Sequence, residues 1–272
     1  SRFIFYFHND PISMKGSKTR KERRNILKSV EKLVFVSDWV RERFFVDIDQ
    51  KLKTKTEIVY PSVNKQSIVN KQKNIIFVGK LNRSKGYDLF KDAIIRILDE
   101  FPKWNAYSIG NEDRRSIYIN HPRHKELGFI THKETLKLLN RSEIAVVPSR
   151  WEEPFGRTAL EASSCGCATI ISSRGGLKET TDSAIILKKL DSYNIYLEIK
   201  KLIKKNKNRK KYQLKGRQNI KHLISDNTKI IDEIREGCVP FYNINFIRKK
   251  LKIINIYNQG QKLNHRLYNI SL

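Results

Sequence analysis

The sequence predicts an α/β protein made of two parallel-sheet units. Three observations carry this. Short runs of β-branched and aromatic residues alternate with segments whose apolar residues recur at helical spacing. The runs end on glycine, proline or small polar residues, as strands do where they meet loops. The alternation then restarts at Asn74 after a polar stretch. Strands that alternate with helices pair in parallel, because each helix is the crossover between them. The restart predicts two units facing a cleft, with ligands at the carboxyl ends of the strands.

Taken in order, FIFYF at 3–7 reads as a buried strand that stops in the polar turn HNDP at 8–11. The basic segment KTRKERRNILKSVEK has helical character. LVFVS (33–37) is a second strand, and DWVRERFF a short amphipathic helix capped by Ser37 or Asp38, either of which can accept from first-turn amides. EIVYP (57–61) is a third strand, ended by Pro61. SVNKQSIVNKQK has little periodicity, and 61–73 is expected as a linker. NIIFVG (74–79) opens the second unit and leads through the basic turn KLNRSKG. The helix YDLFKDAIIRILDEF follows, with Leu89, Phe90, Ala93, Ile94, Ile97, Leu98 and Phe101 at helical spacing. WNAYSIG (104–110) and ELGFI are strands, and HKETLKLLNRS is a helix. IAVVP is a buried strand stopped by Pro148, SRWEEPFG a polar loop, and RTALEASSCG a helix with Gly166 near its C-cap. ATIIS is another strand, SRGGLKE a second glycine-bearing turn, AIILK (184–188) a strand, and 191–236 helical. Beyond that, LKIINIYN reads as a strand that either opens another unit or returns to the first.

Composition narrows the function. Lysine and arginine number 55 against 28 acidic residues, a net charge of +27. Such an excess favours phosphorylated ligands, anionic lipid headgroups or nucleic acid. A compositional origin is equally open, because Lys, Asn and Ile are abundant throughout. The runs 200–211 and 248–252 are then solvated helix faces that also tolerate an anionic membrane. No RNA-recognition or helix-turn-helix signature accompanies the charge, which argues against a specific nucleic-acid partner. Cys165 and Cys167 lie too close together for an ordinary disulfide, Cys238 is remote, and no His stands at metal-ligand spacing from the pair. Reduced thiols and a cytoplasmic chain follow. The sequence starts at Ser1 directly on FIFYF, which suggests a fragment or processed form lacking part of an amino-terminal domain. No apolar run approaches bilayer length.

Two motifs carry the chemistry. GKLNRSKG (79–86) lies between a strand and a helix. Gly79 admits close backbone approach, and Lys80 and Lys85 are flexible charges beside a helix start, a natural diphosphate site. It lacks the ending of a P-loop. In EEPFGRTALE, Glu153 precedes Pro154, so its backbone is held extended and its side chain can face the cleft. Gly156, Arg157 and Thr158 present amides at a helix N-terminus. Arg157 is unfavourable there by the dipole, which a bound anion would offset. Its alternative partner is Glu161, one turn on. Glu161 can accept from the vicinal hydroxyls of a ribose.

PSRWEEPFGRTALEASSCGCATIISSRGGLKE resembles the signature of the family 4 retaining glycosyltransferases, which have the GT-B fold of two Rossmann-like domains facing a cleft. The family's E-x7-E motif falls on Glu153 and Glu161. Its G-R/K-L-x-x-x-K-G motif falls on Gly79, Lys80, Leu81, Lys85 and Gly86, with Lys80 replacing the more frequent Arg and so lacking its bidentate fork. The resemblance covers 74–190. It implies that 1–60 is the remainder of an acceptor domain, 74–226 the nucleotide-sugar donor domain, and 227–272 a terminal helix with a return segment or the start of another unit. It further implies that Glu153 contacts the donor sugar, Glu161 the ribose, and Lys80 and Lys85 the diphosphate. The segment Pro154, Phe155, Gly156, Arg157 and Thr158 would meet sugar and phosphate. His8 matches a position where the family often has a histidine touching sugar or acceptor; a solvated turn residue is the other reading. The reaction implied moves a sugar from a nucleoside diphosphate to the hydroxyl of a glycolipid or saccharide acceptor, with retention and no metal cofactor. Asp47-Ile48-Asp49, a DxD triplet, lies away from these motifs and is read as chance. HNDPISMKGS adds a looser likeness to lipopolysaccharide-core enzymes. These act on the cytoplasmic side of the inner membrane, where the basic surface would suit an anionic leaflet. A phosphorylase, a sugar epimerase or an inactive donor-binding fragment of the same fold are the alternatives.

Overall fold

The chain divides into two units, one built on residues up to Val59 and from Ser225 onward, the other on Tyr60–Ile224. The structure, a computed structural model, describes residues 3–67, 69–114, 117–238 and 270–271.

In the first unit, β1 (Phe3–Phe7), β2 (Lys32–Phe35) and β3 (Thr56–Ile58) run parallel in that order, and Ile270–Ser271 adds antiparallel to β1. Helix α1 (Arg20–Ser29) starts in a capping box. Thr19 accepts from the Glu22 amide, and the Glu22 carboxylate accepts from the Thr19 amide. Helix α2 (Asp38–Phe44) is capped by Ser37, whose Oγ accepts from Val40 N at 3.1 Å; Asp38 binds Arg41 instead. A knot of Phe7, Phe35 and Phe44, rings 5.2 to 6.1 Å apart, fixes α2 against the sheet. The DxD triplet shapes a turn here. Asp47 is left-handed (φ 62°), Ile48 is buried, and Asp49 accepts from Lys51 N at 3.0 Å.

The second unit holds six parallel strands: β4 (Gln72–Val78), β5 (Asn105–Ile109), β6 (His124–Glu126), β7 (Ser142–Val147), β8 (Ala168–Ile171) and β9 (Ile185–Ile186). Their spatial order is β6-β5-β4-β7-β8-β9. The order reverses between β4 and β7, the point where open α/β sheets hold ligands. The helices are α3 (Tyr87–Glu100), α4 (His132–Arg141), α5 (Arg157–Ser164), α6 (Ser192–Lys204) and α7 (Asn206–Gln218); α8 (Ile224–Cys238), beyond them, belongs to the first unit from Ser225 on. Alternation along β4 serves both layers. Ile75 and Phe77 meet Phe90, Ile94, Ile195 and Ile199 on one face. Ile76 meets Leu139, Ala162, Cys165 and Cys167 on the other. The two cysteines are thus buried, unbridged core residues, and burial pushes the Cys165 thiol up to about 12.

Three expectations change. Residues 61–73 are part of the second unit rather than a free linker. Val63 pairs with Leu223, and the Lys71 ammonium donates to the carbonyls of Leu139 (3.3 Å), Ser142 (2.8 Å) and Cys165 (2.7 Å). Aperiodic sequence hid these long-range anchors. The strand read in ELGFI lies earlier, at His124–Glu126, because left-handed Gly128 (φ 63°) turns the chain and leaves Phe129 in solvent. The run 200–211 is not wholly solvated: Leu202 packs in the core, and Arg209 is buried against Glu143 and the Leu202 carbonyl. Both 248–252 and LKIINIYN fall outside the described residues. Among the described residues no helix is long and apolar enough to cross a membrane.

Candidate active site

Six of the predicted residues, Gly79, Lys85, Glu153, Gly156, Arg157 and Thr158, meet where the strand order reverses. Loop 79–86 leaves β4 and loop 148–156 leaves β7, and the two are tied together. Ser84 O accepts from the amides of Arg150 (2.9 Å) and Trp151 (3.0 Å). The Arg150 guanidinium grips Asp88 of α3 with two bonds, at 2.6 and 2.7 Å. Asn82 folds the first loop on itself: its Oδ1 accepts from Lys85 N and from Ser84 Oγ, while its amide donates to Glu112.

That geometry delivers Lys85 to Glu153. The ammonium donates to Glu153 Oε1 at 2.6 Å and lies 4.5 Å from the centre of the Trp151 ring. Glu153 is only 8% exposed. Its backbone is braced by the second glycine turn. Gly176 N donates to Glu153 O (2.7 Å), Gly175 N donates to the Glu152 carboxylate (2.6 Å), and Arg174 pairs with Glu152 (3.0 Å). Gly175 is left-handed (φ 56°), and a Cβ there would stand 2.2 Å from Glu153 O, so no other residue fits without displacing the loop.

Helix α5 begins at left-handed Gly156 (φ 98°), and no side chain caps its first amides. A small cavity of about 120 Å³ opens on this helix start. The strand ends give it Val78, Gly79, Val147 and Ser149; Lys85 and Glu153 supply charge; Gly156, Arg157 and Thr158 form its third side. Its size suits part of a ligand rather than the whole. A cation, a carboxylate and a positive helix end together suit a ligand that is anionic at one point and hydroxylated at another.

The remaining predicted residues lie elsewhere. Pro154 and Phe155 are buried behind the cavity, Phe155 against Tyr60 and His222. Lys80 is exposed and outside the lining; its charge helps hold the Glu112 carboxyl low, after the larger effect of the Asn82 hydrogen bond. Glu161, 6% exposed, faces Arg157 Nη2 (3.1 Å), the i, i+4 pair read from the sequence, and also His132 Nε2 (3.1 Å). His8 stands exposed at the carboxyl end of β1 in the other unit, its ring 4.2 Å from that of Tyr6. Trp151, His132 and Arg150 were not singled out from the sequence. Trp151 and Arg150 sit inside the motif loop, so their place was the available signal; His132 had none. Among the described residues no three His, Cys, Asp or Glu side chains gather as metal ligands would.

The profile described as glycosyl transferases group 1 matches residues 61–219, which contain every element of the site. The putative glycosyltransferase YtcC of Bacillus subtilis is 24% identical over 227 residues, 71% of this chain and 55% of that protein. The chain spans about half the length of the curated relatives it matches first. Among solved structures, HepE from Anabaena in complex with UDP superposes with a TM-score of 0.72 at 16% identity, over 86% of this chain and 72% of that one. WaaG, a glycosyltransferase involved in lipopolysaccharide biosynthesis, superposes at 0.66 and 14% identity, over 85% and 74%. At such identities the likeness is one of fold, that of two-sheet GT-B glycosyltransferases. With the family profile covering more than half of its length, the chain belongs to the glycosyl transferases group 1 family.

Proposed function

We propose that the protein is a retaining glycosyltransferase that takes a hexosyl group from a nucleoside-diphosphate sugar and transfers it to the hydroxyl of a saccharide or glycolipid acceptor. The observation that carries this reading is the meeting of Lys85 and Glu153 at the start of α5, on the switch point of the sheet. A diphosphate placed there is held by the Lys85 ammonium and by the first amides of α5. Lys80, on the same loop, adds a mobile charge as the sugar–phosphate bond breaks. With charge neutralised by lysines, the transfer needs no metal cofactor. Glu153 accepts from hydroxyls of the sugar in transit, and Glu161 from the ribose that stays behind. No carboxylate is assigned as nucleophile or base; the departing phosphate takes the acceptor proton. His8 is proposed on the sugar or acceptor.

Surface polysaccharide or lipopolysaccharide assembly is the setting proposed, on the cytoplasmic face of the inner membrane. The fold likeness to WaaG and the net charge of +27 support it. Calorimetry with UDP-glucose, GDP-mannose and ADP-glucose tests the site. The unaltered chain should bind at least one. Lys85→Ala should weaken that binding roughly thirtyfold, the worth of one charged hydrogen bond of about 2 kcal/mol. Glu161→Ala should weaken it as well. Binding that neither substitution changes removes the assignment.

A further inference from the structure

His222 sits where the chain leaves the Tyr60–Ile224 unit, and Tyr60 where the chain enters it. The two segments are zipped. Val63 N donates to His222 O at 3.1 Å, and Ile224 N donates to Val63 O at 3.2 Å. Their rings stack, with centres 4.2 Å apart and planes at 26°. Both rings reach Phe155, His222 edge-on at 5.4 Å and Tyr60 at 5.7 Å. His222 Nε2 also lies 2.9 Å from Glu179 O. A carbonyl only accepts, so this nitrogen carries the hydrogen.

These contacts join the two segments that frame Glu153. Phe155 stands just beyond it in the motif loop. Glu179 closes the short turn Gly175–Glu179, whose first amides hold the backbone of Glu153 and the carboxylate of Glu152. We infer that His222, stacked on Tyr60, is a positioning residue for the donor loop: it fixes Phe155 and the Gly175–Glu179 turn to one frame and so sets where Glu153 stands. The inference rests on the donor-site reading above. Burial lowers the affinity of His222 for a proton, as does neighbouring Lys221, against the opposite pull of the Glu179 bond and of Asp182.

The test uses the full chain and calorimetry with the nucleotide sugar that binds best among UDP-glucose, GDP-mannose and ADP-glucose. His222→Gln keeps an amide donor for Glu179 O and loses the ring. His222→Phe keeps the ring and loses the donor, and His222→Ala loses both. Affinity should fall roughly tenfold or more in His222→Ala, about what the loss of one charged hydrogen bond at Glu153 costs, and by less in the two partial variants. Leu202→Ala, cut into the core on α6, is the control: it should lower the melting temperature and leave affinity unchanged within error. If folded His222→Ala binds like the unaltered chain, or if Leu202→Ala weakens binding as much, the inference is overturned. Should His222→Ala not fold, the Gln and Phe variants decide: wild-type affinity in both overturns it. If the unaltered chain binds none of the three sugars, the donor reading itself fails, and this inference with it.

Discussion

Gly175→Ala isolates the brace behind Glu153. The added Cβ would meet Glu153 O at 2.2 Å, Glu153 N at 2.7 Å and Glu153 C at 2.9 Å. Ordinary contact begins at 3.4 Å, so the loop must retreat by 3.4 − 2.2 = 1.2 Å along that line. The atoms met are backbone, which cannot swing aside as a side chain would. Retreat lengthens the 2.7 Å bond from Gly176 N to Glu153 O and moves the carboxylate that faces Lys85. The left-handed backbone adds about 1–2 kcal/mol for any residue with a Cβ. Gly128→Ala separates the two contributions. That glycine is also left-handed (φ 63°), but a Cβ there meets nothing within 4 Å. Thermal melts of both variants should therefore show a small loss for Gly128→Ala and a loss larger by about 1–3 kcal/mol, an overpacking cost, for Gly175→Ala. Nucleotide-sugar affinity, followed by calorimetry, should fall in Gly175→Ala by roughly ten- to thirtyfold, about the worth of one charged hydrogen bond from the displaced Glu153. A Gly175→Ala variant that melts with Gly128→Ala and binds donor normally would refute the brace.

Lys71→Met should destabilise the second unit by about 2–4 kcal/mol in urea melts, because three carbonyls lose a charged donor at once; an unchanged midpoint would contradict that role. Cys165 and Cys167, both raised by burial, should stay unmodified by a thiol reagent at pH 8 until guanidinium is added, with peptide mass mapping as the readout. His222 has its folded-state pKa held below the ordinary 6.5 by burial first, so the unfolded chain binds the proton more readily. Its stabilising share is then complete above pH 6.5 and is lost as pH falls through and below that value. The melting-temperature gap between the parent and His222→Gln should shrink from pH 7.5 to pH 5.5, and a gap independent of pH would contradict the assignment.

What the sequence made legible follows from range. Strands such as β7 and helices such as α3 announce themselves through period and length, and Lys80, Lys85, Glu153 and Glu161 through two short motifs. Less visible was what those residues meet. Nothing local pairs Lys85 with Glu153, since each lies in its own loop and the topology of β4 and β7 alone brings them together. The glycines of SRGGLKE signalled a turn, but their reason, a backbone pressed on Glu153, lies in another segment. Tyr60 and His222 are separated by the whole unit they close; Tyr60 reads only as the end of a strand, and His222 carries no periodic or motif signal. The misplaced strand at ELGFI shows the opposite error: Leu, Phe and Ile look like a strand, and one left-handed glycine bends them out of it.

The contact between Lys85 and Glu153 makes capture of a ligand a trade rather than an addition. A phosphate that draws the ammonium away leaves behind a nearly buried carboxylate that must find a new donor. A nucleoside diphosphate without its sugar keeps only the ribose hydroxyls, assigned in the proposal to Glu161, whereas the sugar it would carry brings hydroxyls of its own to Glu153. Under the proposed function, one ion pair would favour the loaded carrier over the spent one and so tilt the pocket toward release of the spent carrier.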